Sequence, residues 1–359
     1  MKYKFLKLFC IYLIPTIFLL YLLRYLFLPP NIDNVFVKIN NGKSIYFLVA
    51  GDSIGAGSGS TLPNNNFANL LARHIFNTYS VTSTITNVSM GGNNSYAEYV
   101  RLSRLNDTNT SPDLVILCCG QNDDSSKTLA IYYEILIRTI KTKWPFATIF
   151  SILQSSQKGY TDKIKTIQSL ADYYDVFVVD TINPFIKDGT NKYNNLTIDG
   201  THPNDNGYAI YSSVLEKIID TQVDELYRRQ SILKALRFDD KSLPTPMNSK
   251  SLEYTNFIEI STNLFRRQGN EFSSSLNIPN DAHIGIDFHF VRGTNDFECI
   301  INGKSVFRKN FIWDYGKRRS QRHIFELGKI YTYGHVSITL KFKRADQADS
   351  FKSIILSYP

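Results

Sequence analysis

An alternation of two residue patterns between residues 44 and 235 constrains the fold more than any other feature of this 359-residue sequence. Apolar runs of strand length take turns with longer segments whose apolar residues recur at helical spacing. Parallel strands require such intervening helices, and strands that are apolar throughout are expected when helices cover both faces of a sheet. We therefore predict an α/β domain over residues 31–235, with a parallel sheet between two helical layers. The strand-like runs are SIYFLVA, STITNVSM, DLVILCC, ATIFSIL and VFVVD.

The pattern changes after a helical segment that runs from about Asn206 to Leu233. The polar stretch DDKSLPTPMNSKS marks a linker, which we place at residues 236–250. From residue 251 to 359, apolar and polar residues alternate in short runs, and Asn302-Gly303 between two of them is a strong hairpin signal. We predict an all-β sandwich of jelly-roll type for residues 251–359. A role of this accessory domain in carbohydrate binding is suggested by analogy alone.

The N-terminus carries a targeting signal. Lys2, Lys4 and Lys7 precede the apolar run LFCIYLIPTIFLLYLL. The apolar segment from Phe5 to Leu28 is long enough to cross a bilayer at about 20 residues per span. A cleavable signal peptide has a shorter apolar core and a small-x-small cleavage site, which does not follow here. We expect residues 1–30 to be an uncleaved single-pass anchor, with a cytoplasmic N-terminus and the rest of the chain in the periplasm or at the cell surface.

The charge and the cysteine content of the chain limit which partners and cofactors it is expected to bind. The chain has 40 Lys and Arg against 32 Asp and Glu, and this modest net charge of +8 does not imply nucleic-acid binding. The four cysteines lack CxxC or metal-ligand spacing, so we expect no disulfide framework, no metal and no other cofactor. His283, Asp287 and His289 share one face of a predicted strand, but the two histidines lie about 20 Å apart at ~3.3 Å per residue, too far for one ion. We expect this face to be exposed to solvent.

The first strand-like run ends in the sequence GDSIG at residues 51–55, and further glycines follow at alternate positions. A phosphate-binding loop is excluded because no Lys stands at the required spacing. A dinucleotide-binding loop is a weak match because Ser60 occupies the place of the third glycine. The G-x-S-x-G pattern instead favours a nucleophilic serine, Ser53, on a sharp turn after a strand.

A nucleophilic serine needs a base, and the predicted α/β domain contains two histidines. His74 lies within an amphipathic helical pattern, which is typical of a surface residue. His202 follows Asp199 by three residues, just before a helix, so the carboxylate can fold back and orient the imidazole. By itself this spacing is equally typical of a capped helix start.

Acyl transfer also needs hydrogen-bond donors for the oxyanion that forms at the carbonyl. The segment after the second strand offers the backbone N–H groups of Gly91 and Gly92, and the segment after the third offers Gly120 and the amide of Asn122. Both segments follow the carboxyl ends of predicted parallel strands, where sites in open sheets gather. Each alone is more often an ordinary turn between a strand and a helix.

Taken in order, these motifs resemble the four blocks of the SGNH, or GDSL-type, hydrolase family over residues 44–235. The resemblance implies a three-layer flavodoxin-like fold, with Ser53 as nucleophile, His202 as base and Asp199 as the acid that orients it. It also implies an oxyanion hole made of the Ser53 N–H, the Gly92 N–H and the Asn122 side chain. The sequence departs from the family motif in two ways. Ile54 replaces the leucine of the motif. Gly91 is adjacent to Gly92, so either could be the glycine of the second block, and counting from Asn87 favours Gly92. The α/β-hydrolase fold is disfavoured because Ser53 follows the first strand.

The resemblance implies a serine esterase that forms an acyl-serine intermediate. With the predicted anchor, it favours removal of O-acyl groups, chiefly O-acetyl, from extracytoplasmic carbohydrate or cell-envelope polysaccharide. An O-acyltransferase acting on a cell-surface glycan is an alternative, which would need a membrane partner that supplies acyl groups. A lipid esterase or thioesterase, and an inactive membrane-tethered glycan-binding module, are further alternatives.

Overall fold

The computed structural model describes residues 34–105, 111–186, 192–228, 243–290, 293–313 and 321–359. The predicted membrane anchor at residues 1–30 lies outside these ranges, as does Leu233 at the predicted end of the closing helix. Among the residues that are described, no helix is both long enough and apolar enough to cross a membrane.

The first unit is built on a five-stranded parallel sheet with the strand order β2-β1-β3-β4-β5. This is the order of flavodoxin-like folds, so the predicted fold class is confirmed. Phe47, for example, is in register with Ile85 on one side and Leu114 on the other. The strands are β1 (Ile45–Gly51), β2 (Ser83–Asn87), β3 (Leu114–Cys118), β4 (Thr148–Leu153) and β5 (Phe177–Asp180).

Helices cover both faces of this sheet. Their bounds are α1 (Val35–Asn40), α2 (Phe67–Tyr79), α3 (Ser95–Arg104), α4 (Ser126–Lys143), α5 (Asp162–Tyr173), α6 (Ile182–Ile186), α7 (Lys192–Leu196) and α8 (Asp205–Arg228). Helices α1, α2 and α8 pack on one face with Phe47 and Val49, and α3, α4 and α5 pack on the other with Leu48 and Ala50. Because successive strand residues point to opposite faces, a strand covered on both sides is apolar throughout. The edge strand β2 departs from this prediction, since all five of its residues are exposed or half-buried.

The second unit consists of two antiparallel sheets packed on a shared core. The five-stranded sheet has the order β11-β10-β13-β8-β7 and the four-stranded sheet the order β12-β9-β14-β6, which confirms the predicted β-sandwich. At the predicted hairpin, Asn302 and Gly303 both have positive φ, 49° and 77°, as a two-residue hairpin turn requires. The strands are β6 (Asn256–Ser261), β7 (Arg266–Gln268), β8 (Glu271–Ile278), β9 (His283–Phe290), β10 (Gly293–Ile301), β11 (Lys304–Trp313), β12 (Gln321–Lys329), β13 (Gly334–Phe342) and β14 (Phe351–Tyr358).

The four-stranded sheet packs against α3 of the first unit. Ile324 and Ile355 from this sheet belong to the same apolar core as α3 and α4, and so does Tyr254, which precedes β6. Gly285 of β9 lies so close to Tyr96 that a Cβ added there would come within 2.3 Å of the Tyr96 hydroxyl. The two units therefore share a packed interface in which a side chain at position 285 has no room.

This packing corrects the expectation that His283, Asp287 and His289 face solvent. The Asp287 side chain is fully buried, and its Oδ2 accepts a hydrogen bond of 2.6 Å from Nη2 of Arg104 at the end of α3. His283 is largely covered and its Nε2 lies 2.6 Å from Oε2 of Glu253. Period-two alternation distinguishes the two faces of a strand, but it does not reveal what packs against each face.

Buried Glu134 of α4 holds the segment that leads into the second unit. Its carboxylate accepts hydrogen bonds from the N–H groups of Met247 (2.6 Å) and Asn248 (2.9 Å) and from the hydroxyl of Ser251 (2.5 Å). The Tyr174 hydroxyl donates a further bond of 2.7 Å. A carboxylate that accepts several bonds of this kind is satisfied although it is buried, so the chain entering the second unit is fixed to the first.

Candidate active site

Ser53 lies at the carboxyl end of β1, one of the central strands of the parallel sheet. The turn that presents it is held by a bond of 3.0 Å from the Asp52 N–H to the Cys118 carbonyl and one of 2.9 Å from the Ile54 N–H to Asp52 Oδ1. Gly51 is required because a Cβ would come within 2.0 Å of the Cys118 carbonyl oxygen. Close approach of β1 and β3 thus produces the sharp turn predicted from the GDSIG motif.

His202 and Asp199 meet Ser53 from the loop before α8. His202 Nε2 lies 2.9 Å from Ser53 Oγ, and His202 Nδ1 lies 2.6 Å from Asp199 Oδ2. A bridge between Thr197 and Pro203 closes the loop that carries both residues. Since a carboxylate only accepts hydrogen bonds, Nδ1 donates to Asp199 and Nε2 is left to accept from the Ser53 hydroxyl. The structure brings together the three residues that the sequence predicted.

The Asp199 carboxylate keeps its charge in this arrangement. Its partial burial raises the pKa, but hydrogen bonds from the His202 backbone and ring and from the Thr201 N–H outweigh that effect, so the pKa lies below the ordinary value. The side chain is 47% exposed, against 22% for His202. An ionised Asp199 is suited to stabilise an imidazolium on His202.

Gly92 lies in a turn after β2 that packs against the end of β1. The turn is closed by a bond of 3.2 Å from the Asn93 N–H to the Met90 carbonyl, and the Met90 N–H donates to the Gly51 carbonyl at 2.9 Å. Gly92 has φ of 82°, which favours glycine, whereas Gly91 is not in the positive-φ region. Of the two glycines left open by the sequence, Gly92 is therefore the one whose backbone requires glycine.

Asn122 lies after β3 and reaches across to the same turn. Its Nδ2 donates a bond of 2.9 Å to the main-chain oxygen of Asn93, next to Gly92. An amide nitrogen carries two N–H groups, so the second remains for an acceptor at the site. Gly120, with φ of 120°, allows the chain to turn here, and a Cβ would come within 2.9 Å of Ile167. The Gly92 and Asn122 segments are thus joined at the carboxyl edge of the sheet.

The sequence identified Asp52 only as part of the turn that presents Ser53, and it did not identify the buried Gln154 behind the site. Asp52 is fully buried, and both of its carboxylate oxygens accept from Nε2 of Gln154, at 3.0 and 2.9 Å. Burial raises the pKa of Asp52 to about 6, against hydrogen bonds from Gln154 and from the backbone of Ile54 and Gly55. Oε1 of Gln154 accepts from the Gln121 N–H at 3.1 Å. Gln154 therefore connects the turn of Ser53 to the segment of Asn122.

A second buried carboxyl joins the same segment to α3. Asp123 accepts from the N–H of Ser95 at 3.2 Å and from its hydroxyl at 3.0 Å. Burial raises the pKa of Asp123 to about 6, although the Ser95 bonds oppose the shift. The only sequence signal for either connection is a polar residue beside a buried strand, and its partner lies far along the chain.

His74 does not take part in the site. Its Nε2 lies 2.9 Å from Asp220 and its Nδ1 lies 3.7 Å from Glu216, both on α8. His74 is therefore a partly exposed residue that pairs with carboxylates of a neighbouring helix, as its position in an amphipathic pattern predicted.

The residues of this site fall within a segment that matches a known protein family. Residues 49–210, which include Ser53, Gly92, Asn122, Asp199 and His202, match the GDSL-like lipase/acylhydrolase family. The chain carries a GDSL-like hydrolase domain. The domain belongs to an esterase family, and the protein is a serine ester hydrolase. No curated protein matches the sequence.

The fold of the GDSL-like domain and of the β-sandwich together is similar to that of a two-domain esterase active on acetylated mannans. One crystal structure of that esterase has a TM-score of 0.68 and 17% identity, and covers 90% of this chain and 94% of its own. A second, co-crystallised with mannopentaose, has a TM-score of 0.67 and 16% identity, and covers 90% of this chain and 93% of its own. At this identity the likeness shows a shared fold across both units.

Proposed function

We propose that this protein is a carbohydrate esterase that removes O-acyl groups, in particular O-acetyl groups, from extracytoplasmic carbohydrate or cell-envelope polysaccharide. The observation that carries the proposal is the continuous hydrogen-bond chain from Ser53 through His202 to Asp199. Such a chain activates a hydroxyl as a nucleophile and keeps its base in the required tautomer.

In the proposed reaction, Ser53 Oγ forms a bond to the ester carbonyl carbon while its proton moves to His202 Nε2. The carbonyl oxygen becomes an oxyanion that accepts hydrogen bonds from the N–H groups of Ser53 and Gly92 and from Nδ2 of Asn122. The bond to the sugar oxygen then breaks, and His202 returns the proton to that oxygen. Water attacks the acyl-serine with His202 as base again, which releases the carboxylic acid and restores Ser53.

The choice of a carbohydrate substrate is supported by the second unit. The likeness to an esterase active on acetylated mannans extends across both the GDSL-like domain and the β-sandwich. We propose that the β-sandwich binds the glycan. Tyr331 and Tyr333, between β12 and β13, expose 86% and 69% of their surface, and exposed aromatic rings of this kind can stack on sugar rings.

The esterase proposal is tested by acetate release from acetylated mannan and from a small acetyl ester, with Ser53→Ala as the control. Loss of release in Ser53→Ala by several orders of magnitude is expected. Release at the wild-type rate by Ser53→Ala would contradict the mechanism. Transfer of acetyl to added oligosaccharide, with no free acetate, would indicate the acyltransferase alternative instead.

The role of the β-sandwich is tested separately with Tyr331→Ala/Tyr333→Ala. We expect weaker binding of acetylated polysaccharide and a raised KM for it, with unchanged kinetics on a small acetyl ester. Phe76→Ala, which removes a 54% exposed aromatic ring from α2, is the matched control and is expected to change neither. An unchanged KM for the polymer in the double tyrosine variant would contradict glycan binding at this loop.

We also propose that residues 1–30 anchor the protein in a membrane, with the esterase outside the cytoplasm. The proposal is supported by the lysines and the apolar segment of the sequence. Protease treatment of intact cells and of cells stripped of any outer barrier is expected to digest the esterase while the cytoplasm stays sealed. Protection until the cytoplasmic membrane is lysed would contradict this orientation.

A further inference from the structure

A third buried carboxyl, Glu98 of α3, lies behind the two segments that carry Gly92 and Asn122. Its side chain is fully buried, three residues after the start of the helix at Ser95. The Ser53–His202–Asp199 chain does not include it, and no motif of the sequence pointed to it. A buried glutamate is costly unless it is well bonded.

Two hydrogen bonds lead from Glu98 to the oxyanion donor. Asn93, which is 2% exposed, donates from its Nδ2 to Oε1 of Glu98. The main-chain oxygen of the same Asn93 accepts the bond of 2.9 Å from Nδ2 of Asn122. Glu98 therefore contacts the side chain of the residue whose carbonyl holds the Asn122 amide.

The bond between Asn93 and Asn122 determines where the second N–H of the amide points. The amide group is planar, so fixing one N–H on the Asn93 carbonyl fixes the direction of the other. A misplacement of about 1 Å at a catalytic group can cost about 100-fold in rate. A residue that holds Asn93 in place thus bears directly on the oxyanion hole.

Burial favours a neutral carboxyl at Glu98, although most of the groups around it favour the ionised form. Nε of Arg101, on the same helix, lies 3.9 Å from Oε1 of Glu98. Asp52, from the turn of Ser53, and the backbone of Gly51 also act on the Glu98 carboxyl. Burial raises the pKa of Glu98 to about 8, against the Asn93 bond and the Arg101 charge. At neutral pH the carboxyl accepts from Asn93 without placing a negative charge behind the oxyanion.

We infer that Glu98 is a positioning residue, which sets the direction of the Asn122 N–H through Asn93 and thereby supports the oxyanion hole. The inference rests on the proposed esterase function and deepens it. It assigns to Glu98 no contact with the substrate.

A double-mutant cycle with full-length protein tests the inference, using kcat for a small acetyl ester. Asn122→Ala is expected to lower kcat about 10²- to 10³-fold. Glu98→Leu is expected to lower kcat about 10-fold with little change in KM, because only the transition state needs the donor. In the Asn122→Ala background, Glu98→Leu is expected to change kcat less than about 2-fold, since the donor it positions is already absent.

Glu134→Leu is the matched control, because it removes another fully buried glutamate, on α4 and away from the site. Its effect on kcat is expected to be the same in both backgrounds. Glu98→Gln retains an acceptor for Asn93 and is expected to restore nearly full kcat. Should Glu98→Leu not fold, Asn93→Ala enters the same cycle in its place, since it removes the bond to Glu98 but keeps the main-chain oxygen.

Equal losses from Glu98→Leu, or from Asn93→Ala, with and without Asn122 would overturn the inference. The cycle is scored only on activity that Ser53→Ala abolishes. Activity that survives Ser53→Ala counts against the proposed esterase function, whereas additivity counts against the role of Glu98 alone.

Discussion

At the scale of single residues, the proton on Nδ1 of His202 decides whether the proposed chemistry can start. Asp199 accepts that proton's hydrogen bond and leaves Nε2 free to accept from Ser53. In Asp199→Asn, the new amide can donate to Nδ1 and favour the tautomer in which Nε2 carries hydrogen. We expect kcat for a small acetyl ester to fall about 10²- to 10⁴-fold, measured by steady-state kinetics.

The matched control is Asp205→Asn, six residues further on. Asp205 accepts from the N–H and hydroxyl of Thr61 rather than from an imidazole. This variant is expected to keep nearly the wild-type kcat. A comparable loss in both variants would mean that Asp199 acts through the shape of the loop and not through His202.

Some residues of the site could be predicted from the sequence and others could not. Asp199 and His202 were predicted because three residues separate them and a local turn suffices to join them. Glu98 was missed although its partner Asn93 is only five residues away, because no local pattern marks either side chain as buried. Gln154 was missed because its partner Asp52 lies 102 positions away in the sequence. A single sequence contains no signal for such a distant bond.

At the scale of the element, α3 carries a carboxyl that prefers to be neutral in the folded protein. Because burial raises the pKa of Glu98 from 4.5 to about 8, the folded state holds its proton over a range in which the unfolded state has lost it. Its contribution to stability is fully present below pH 4.5 and is lost as the pH rises through about 8. Over this window the free energy of unfolding falls by up to about 1.4 kcal/mol per pH unit.

The measurement is urea unfolding at several pH values between 5 and 9 for wild type and Glu98→Gln. The variant is expected to show a shallower decline with pH, because its amide does not ionise. Asp52, Asp123 and Glu326 also have raised pKa values, about 6, 6 and 7, so part of the decline remains. Identical pH dependence in both proteins would show that Glu98 is already ionised in the folded state.

Strands and turns were predicted correctly where a short sequence pattern was enough to define them. The strand-like runs gave all five strands of the parallel sheet, β1 to β5, and Asn302-Gly303 gave the turn between β10 and β11. The edge strand β2 is less apolar than its neighbours, and its residues are exposed or half-buried. The covered face of β9 was assigned to solvent because its partner, α3, lies almost two hundred positions earlier in the chain.

At the scale of the whole molecule, Arg104 joins the two units. It donates to Asp287, which is fully buried, and through Nε and Nη2 to Glu259 at 2.7 Å each. Arg104→Met would remove the Arg104 hydrogen bond and charge from the buried Asp287 carboxylate. We expect a loss of about 3–5 kcal/mol in the free energy of unfolding, measured with urea. Replacing the pair together, as Arg104→Met/Asp287→Leu, is expected to recover most of it.

Arg267→Met provides the comparison, since Arg267 pairs with Asp349 in an exposed position within the second unit. We expect a change of about 1 kcal/mol or less. Equal, small effects of Arg104→Met and Arg267→Met would contradict a stabilising role for the contact between the units.

Gly285 limits which β-sandwich domains could replace this one at the interface between the two units. The hydroxyl of Tyr96 occupies the space where any side chain at position 285 would begin. Tyr96 belongs to α3, whose first turn directly follows the segment of Gly92. A β-sandwich from another protein can replace this one only if it brings a residue without a side chain to that point. The accessory unit is therefore not an interchangeable module, because the absence of a side chain at position 285 fits it to Tyr96 of α3.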